Sequence, residues 1–592
     1  MQVRLLLISL FFIAKGQTQE WSSSIQLNQI GFYTESKKVA VISKQVSALN
    51  FYITSTNFTD TVFKGVLGNP IQSKHSSTVT RIADFSSVKK EGSFVLVIPG
   101  LGHSPIFYIG NDIFLEVGKA SLKGFYYQRI SMPLASQYAG KWHRSSGHPD
   151  TDVEVHSSAA TVKRPIGTKL PMPGGWYDAG DYNKYIVNSG ITTATLLSAY
   201  EFNKEYYHNL SVNIPESSNN LPDILDEVLY NLRWMLAMQD PNDGGVYHKC
   251  TNAIFDDMVM PGVTKATRYV VQKSTAAALD FTAVMAQSSR IFASFQKELP
   301  GFSDSCLKAS LSAWQWALNN PAVIYDQNKM NLQHLPKIET GAYGDGYLKD
   351  EWMWAGAELF CTTKDQKYLT HLDELDQTSM VMPAWDKVAL LGFYSLLNYQ
   401  GKIPEEYSGK WEMMRSKLLG MADDYLSYAS QSAFQVVMGN KDSDFIWGSN
   451  SNAANQGILL LYVSRYTGKK IYQDAAFSNG DYLLGRNATG YCFVTGFGSK
   501  SPMHPHHRQS EADGIVDPVP GLLVGGPNPY RQDKCQYKYI ERETAFTDDV
   551  CSYASNEIAI NWNAPAVFLF NALHSTMKKN NSIKKSCRWP NE

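Results

Sequence analysis

The sequence predicts a mainly α protein in two parts, a small all-β sandwich followed by a toroid of six helical hairpins. Three observations predict it. Short β-type runs broken by turn residues fill residues 24–110. Helical periodicity separated by polar loops takes over at 111 and persists to 577. About a dozen helices result, with long connections between pairs and no motif at a fixed period, which favours a closed ring over a solenoid. A chain of 592 residues is large enough for both parts.

The elements follow in chain order. Met-Gln-Val-Arg and the apolar run from Leu5 to Ala14 are too short to cross a bilayer and end in the small residues Ala14 and Gly16. Residues 1–16 therefore read as a signal peptide, and the expected location is outside the cell or in a periplasm. Strand candidates in the sandwich are 38–42, 51–54 and 94–98, the last ended by Pro99-Gly100. Helices are expected at 112–130, 188–206, 221–239, 274–295, 303–319, 350–363, 384–398, 408–430, 452–466, 469–485 and 557–574. Residues 578–592 are polar and basic and read as a frayed tail.

Composition narrows the partners. Lys and Arg number 54 against 55 Asp and Glu, so no net field attracts nucleic acid or an anionic membrane, and a neutral ligand is expected. The chain has 33 Tyr and 13 Trp, rings of the kind that pack on sugar faces, although most serve the core. Seven cysteines (250, 306, 361, 492, 535, 551 and 587) are too scattered for a disulfide scaffold and form no CxxC zinc pattern. Asn57, Asn209, Asn487 and Asn580 lie in glycosylation sequons, which matter only in a glycosylating host.

Three segments carry chemistry. Gly174-Gly-Trp-Tyr-Asp-Ala-Gly-Asp-Tyr182 places Asp178 and Asp181 three apart on a glycine-rich loop before a helix. Like charges at that range couple their titrations, so one can stay ionised as a base while the other holds a water. Cation binding and capping of the next helix are the alternatives there. In Ser552-Tyr-Ala-Ser-Asn-Glu-Ile-Ala-Ile-Asn-Trp-Asn-Ala-Pro565, Glu557 is the only acid among apolar and aromatic neighbours. Burial would keep it protonated and able to donate to a leaving oxygen; a capping Glu or a Glu–Arg pair are the alternatives. Pro502-Met-His-Pro-His-His-Arg508 gathers three histidines and an arginine. Adjacent histidines ligate one ion poorly, so hydrogen bonds from His506 and Arg508 to sugar hydroxyls are the better reading.

These residues resemble the family 9 glycoside hydrolases, cellulases with an (α/α)6 barrel and often an N-terminal immunoglobulin-like domain. The stretch from Phe546 to Ala564 is similar to the family's acid-bearing signature, with Asp548 and Glu557 at its active-site positions. Gly498-Ser-Lys500 and His506-His-Arg508 are similar to its histidine signature, with Cys492 as a departure that concerns packing. Pro222 to Lys249, Trp447 to Asn452 and Gly521 to Asn528 add further similar runs, and Gln26 to Phe32 resembles the opening of the immunoglobulin-like module.

The resemblance implies a single-displacement, inverting hydrolysis of β-1,4-linked glucan. Asp181 would be the base, assisted by Asp178, and Glu557 the acid. Asp548 and His506 would complete the catalytic set, and Arg508, Tyr553, Trp176 and Trp354 would line the cleft. No cofactor is implied for catalysis. Structural calcium is frequent in the family, and the oxygen-rich Asp240-Pro-Asn-Asp-Gly-Gly245 loop is the candidate contributor, with no site assigned. The implied partner is a β-glucan polysaccharide or oligosaccharide, with no nucleic acid and no membrane. Endo attack is expected. An exo-acting member or an inactive carbohydrate-binding protein are the competing readings, the second opposed by the presence of all three acids. Cys535 and Cys551 are expected to form a disulfide just ahead of the acid signature.

Overall fold

The computed structural model describes residues 20–374 and 380–586. The expected signal peptide at 1–16 lies outside the described residues. The N-terminal part is a sandwich of two sheets. One runs Ile25–Gln26, Val39–Ile42, Val79–Asp84, Ile71–Gln72, and the other Gly31–Tyr33, Phe107–Gly110, Gly92–Ile98, Asn50–Ser55, Thr61–Val66, with Gly102–His103 beside it. Side chains two apart face inward, as the pleat requires: Ala40 and Ile42, Phe51 and Ile53, Phe94, Leu96 and Ile98, Phe107 and Ile109 form its core.

Residues on the outward faces of both sheets are also buried. Val39, Val41, Ile82 and Tyr33 belong to the core of the helical domain, which is why 39–42 is an unbroken apolar run in the sequence. Polar contacts lock the joint. Tyr33 Oη lies 2.9 Å from His574 Nδ1, Asn28 donates to Asp481 at 2.8 Å, and Thr80 donates to the Ala433 carbonyl at 2.6 Å.

Among the described residues, eleven α-helices of ten residues or more build the helical domain. They are α1 (Leu115–Tyr127), α2 (Ile186–Phe202), α3 (Asp223–Ala237), α4 (Thr275–Phe292), α5 (Phe302–Asn319), α6 (Lys349–Thr363), α7 (Ala389–Asn398), α8 (Ser408–Gln431), α9 (Ser449–Thr467), α10 (Lys470–Leu483) and α11 (Ile560–Ser586). A 3-10 segment, Gln366–Glu374, takes the twelfth place between α6 and α7. Inner and outer helices alternate along the chain. The inner helices α2 and α4 are buried nearly all round. The outer helix α5 buries Ser303, Cys306, Ala309, Ser310, Ala313, Trp314, Trp316 and Ala317, mostly at helical spacing, and exposes most of the rest.

Alternation has a functional consequence. Every inner helix runs the same way, so all connections that lead into inner helices gather at one end of the ring. Those connections are the long ones, such as 128–185, 320–348 and 484–559. Within them lies a five-stranded sheet that the sequence reading did not foresee. Its order is Lys169–Leu170, Val153–Val155, Arg268–Val270, Lys249–Asn252, Lys184–Tyr185. Two further corrections concern α11. It starts at Ile560, leaving Glu557 in extended backbone (φ -72°, ψ 156°), not on the helix. It also runs on to Ser586, through residues read as a frayed tail.

Candidate active site

The acidic loop is shaped by its glycines and tied down on both flanks. Gly174 and Gly175 have φ of 79° and 81°, conformations a side chain would strain. Lys184 donates to the carbonyls of Met172 and Gly174 and pairs with Asp150 at 2.7 Å. Arg268 pairs with Asp150 at 2.9 Å and donates to the Tyr182 carbonyl. Asn183 Oδ1 accepts from Thr251 Oγ1 and the Asn252 amide, fastening the loop to the small sheet.

The two acids on this loop are buried but differently held. Asp178 accepts from Asn188 Nδ2 at 2.6 Å and from the Tyr343 hydroxyl at 2.7 Å. Burial, followed by the charge of Asp181, pushes its carboxyl up to about 8 against these hydrogen bonds. Asp181 Oδ2 accepts from Asn183 Nδ2 at 2.6 Å and the Tyr185 hydroxyl at 3.2 Å. Helix α2 begins at Ile186, five residues after Asp181, and Asn188 in its first turn holds Asp178, so both carboxyls lie near the positive end of its dipole.

Glu557 is brought to this loop by backbone pairing. Its own stretch pairs with the histidine loop, His506 opposite Glu557, and with the acidic loop, Ala559 opposite Ala179. The Ile560 amide donates to the Asp178 carbonyl at 2.9 Å, and the Gly525 amide donates to the Glu557 carbonyl at 2.8 Å. Its carboxyl is raised well above the usual range by burial, with Asp181 and Asp178 adding and Arg508 opposing. Neither a cap on α11 nor an arginine ion pair accounts for it: Glu557 lies three residues before that helix, at the C-terminal end of the short turn Tyr553–Asn556, and no salt bridge to it is found among the described residues.

His506, His507 and Arg508 of the histidine segment each have separate partners. His506 Nδ1 donates to the Val550 carbonyl at 2.6 Å, which leaves Nε2 for the cleft. His507 is buried against Gln128 and Ser510, and burial pushes its ring down to about 3. His504 is exposed. Arg508 donates to the carbonyls of Asp256 and Gly180, both at 2.9 Å. Asp548 accepts the amides of Met503 and His504 and the Asn556 side chain, so it orders the loop that carries His506. Gly180 is required here, because a Cβ on it would lie 2.1 Å from the His506 carbonyl oxygen.

Tyr553 is partly exposed, with its ring 5.3 Å from Trp447 and 5.9 Å from His506. Trp176 and Trp354 need correction. Both are fully buried, Trp176 against Phe125 with its indole nitrogen toward Glu227, and Trp354 inside the ring on α6, so neither reaches substrate. Cys535 and Cys551 are joined in a disulfide.

The site also holds residues that sequence reasoning missed. Asn183 and Tyr185 followed the acids directly and were readable as their partners. Asn188 lies one helical turn into α2. Tyr343 comes from a remote loop and carried no local signal. Trp447, 41% exposed, stood in a run quoted only for its resemblance.

The Asp240 loop does not fit calcium. Its carboxylates face Lys273 Nζ, 2.8 Å from both Asp240 and Asp243, and Arg164 lies 3.4 Å from Asp240. Two cations already stand where an ion would need free oxygens.

A ring of helices that brings the carboxyls of Asp178, Asp181 and Glu557 together at one end is built to hydrolyse glycosidic bonds, and its class is glycoside hydrolase. The comparisons name the family. Residues 114–570 match Glycosyl hydrolase family 9 and residues 20–103 match the cellulase N-terminal ig-like domain, so the chain belongs to family 9. It is 44% identical over 553 residues to a xyloglucan-specific endo-beta-1,4-glucanase of Bacteroides ovatus, covering 93% of this chain and 94% of that protein. It is 32% identical to endoglucanase D of Acetivibrio thermocellus, covering 93% and 83%. A solved Bacteroides ovatus GH9 structure superposes with a TM-score of 0.88 at 43% identity, covering 94% of this chain and 99% of that one.

Proposed function

We propose that this chain is an inverting endo-β-1,4-glucanase whose substrates include xyloglucan. The observation that carries the mechanism is the division of labour among three carboxyls. Burial pushes Asp178 up to about 8 and pushes Glu557 in the same direction, favouring the protonated form of each, while Asp181 stands between two hydrogen-bond donors. Asp181 takes a proton from water as that water attacks the anomeric carbon. Asp178 holds the water, and Glu557 gives its proton to the departing oxygen. His506 Nε2 and the Trp447–Tyr553 pair bind the sugar beside the scissile bond. The proposed substrate rests on likeness to the two endoglucanases.

Catalysis needs no metal. For structural calcium, Asp280, Asp345, Asp350 and Glu351 are better suited than the Asp240 loop. All four are buried and each has a carboxyl oxygen without a partner. Among the described residues no three acidic, histidine or cysteine side chains form a ready-made site, so backbone carbonyls and water would complete the shell. Export is proposed from the leader-like first 16 residues. No described helix is long and apolar enough to cross a membrane.

The test follows viscosity, reducing sugar and anomer on xyloglucan and carboxymethylcellulose. Viscosity should fall well before reducing ends accumulate, and proton NMR should show the α-anomer first. One small early product with little viscosity loss, or an initial β-anomer, would overturn the reading.

A further inference from the structure

The turn at 73–78, between the sandwich strands Ile71–Gln72 and Val79–Asp84, reaches the cleft end of the ring. It touches two connections there, 432–448 into the inner helix α9 and 484–559 into the inner helix α11. The first carries Trp447 and the second carries Tyr553, whose rings stand 5.3 Å apart beside His506.

His75 plugs into the first connection. It is buried, its Nε2 donates to the Gly439 carbonyl at 2.6 Å, and its ring meets Phe445 edge-on at 5.0 Å. Gly439 has φ of 96°, and a Cβ on it would lie 3.2 Å from His75 Cδ2, so the backbone comes close to the ring. From this anchored point the connection winds about Asp444, whose carboxylate accepts the amides of Gly439 and Lys441 at 3.2 and 3.1 Å. Asn452 on α9 donates to the Asp444 carbonyl at 3.0 Å, and Trp447 follows two residues after Phe445. The neighbouring serines hold the second connection. Ser77 gives its amide and its hydroxyl to the two carboxyl oxygens of Glu541, at 2.7 and 3.1 Å, and Ser76 donates to the buried Glu543. Arg542 between them pairs with Asp442 at 3.2 Å and so ties the two connections together. A turn that only closed its own hairpin would need none of these contacts.

We propose that the sandwich sets the sugar platform of the cleft, with His75, supported by Ser76 and Ser77, as a positioning residue that holds Trp447 and Tyr553 at the spacing a glucan chain packs on. This rests on the sugar-binding role given above to that pair. The catalytic acids are held by other partners, so the effect falls on binding and not on the chemical step.

The experiment titrates a xyloglucan oligosaccharide into Glu557→Gln enzyme by calorimetry, which reads the platform without turnover. Adding His75→Ala should weaken Kd about fivefold, the worth of one displaced aromatic contact. In the otherwise wild-type chain KM should rise by the same factor while kcat stays within twofold. His75→Gln can still donate to the Gly439 carbonyl and should recover most of the loss. Tyr33→Phe weakens the same joint beside His574 and touches neither connection, so it should lower the melting temperature and leave Kd unmoved. His75→Ala that lowers the melting temperature with Kd and KM unmoved would be a structural effect alone, and overturns the proposal.

If His75→Ala does not fold, the double variant Ser76→Ala, Ser77→Ala keeps the histidine and is titrated in the same way. A several-fold weaker Kd is expected, and an unmoved one overturns the proposal. Trp447→Ala separates this inference from the reading beneath it. Unchanged binding in Trp447→Ala would overturn the platform itself, whereas a loss there with none in His75→Ala would overturn only the positioning.

Discussion

At the scale of single residues, the site works by giving three chemically similar acids different surroundings. As the proposed acid, Glu557 must be protonated to act; burial raises its pKa and so favours that form, which is lost as pH rises through the raised value. Glu557→Gln should therefore lower kcat on xyloglucan by about 10²–10⁴-fold, the usual worth of a positioned proton donor, while the melting temperature holds. Aryl cellobiosides with good leaving groups should suffer much less, since they need no proton. Equal losses on both substrates would show that Glu557 does something other than protonate. The tryptophans teach the opposite lesson. Trp176 and Trp354 looked like sugar platforms because of what they are, but placement decides, and the ring packs both away from solvent.

At the scale of elements, the site is a meeting of loops held by close backbone contact. Gly180 is the tightest point, and Gly180→Ala must push the His506 strand away from the acidic loop. That should cost about 1–3 kcal/mol of stability and about a hundredfold in kcat, because small misplacements of reacting groups are that expensive. Wild-type activity with a normal melting temperature in this variant would contradict the packing. The periodic helices and both acid-bearing segments were legible in the sequence, since each announces itself within a dozen or so neighbours. The small sheet was not. Its strands are two to four residues long and pair across distant segments, as Val155 with Val270 does, so no local pattern encodes them. Tyr343 was hidden for the same reason. Gln366–Glu374 escaped notice because its apolar residues, Tyr368, Leu369 and Leu372, span little more than one turn, too short a run for a helical period to show.

At the scale of the molecule, the sandwich is part of the enzyme's core. Val39, Val41, Ile82 and Tyr33 pack into the helical domain, and Tyr33 Oη also accepts the Phe114 amide. Calorimetry should therefore show one unfolding transition. Tyr33→Ala should lower it as a unit, by about 3–5 kcal/mol as for other large buried rings. Two resolved transitions would mean that the halves stand alone. The partners of that sheet come late in the chain: Ala433, Asp481 and His574 all lie hundreds of residues beyond Gly110. At about 5–20 residues per second, a ribosome needs about 20–90 seconds to make the distance. For that interval the newborn sandwich carries a sticky, unclaimed face, and how the cell shields it will set how much of this protein it can make.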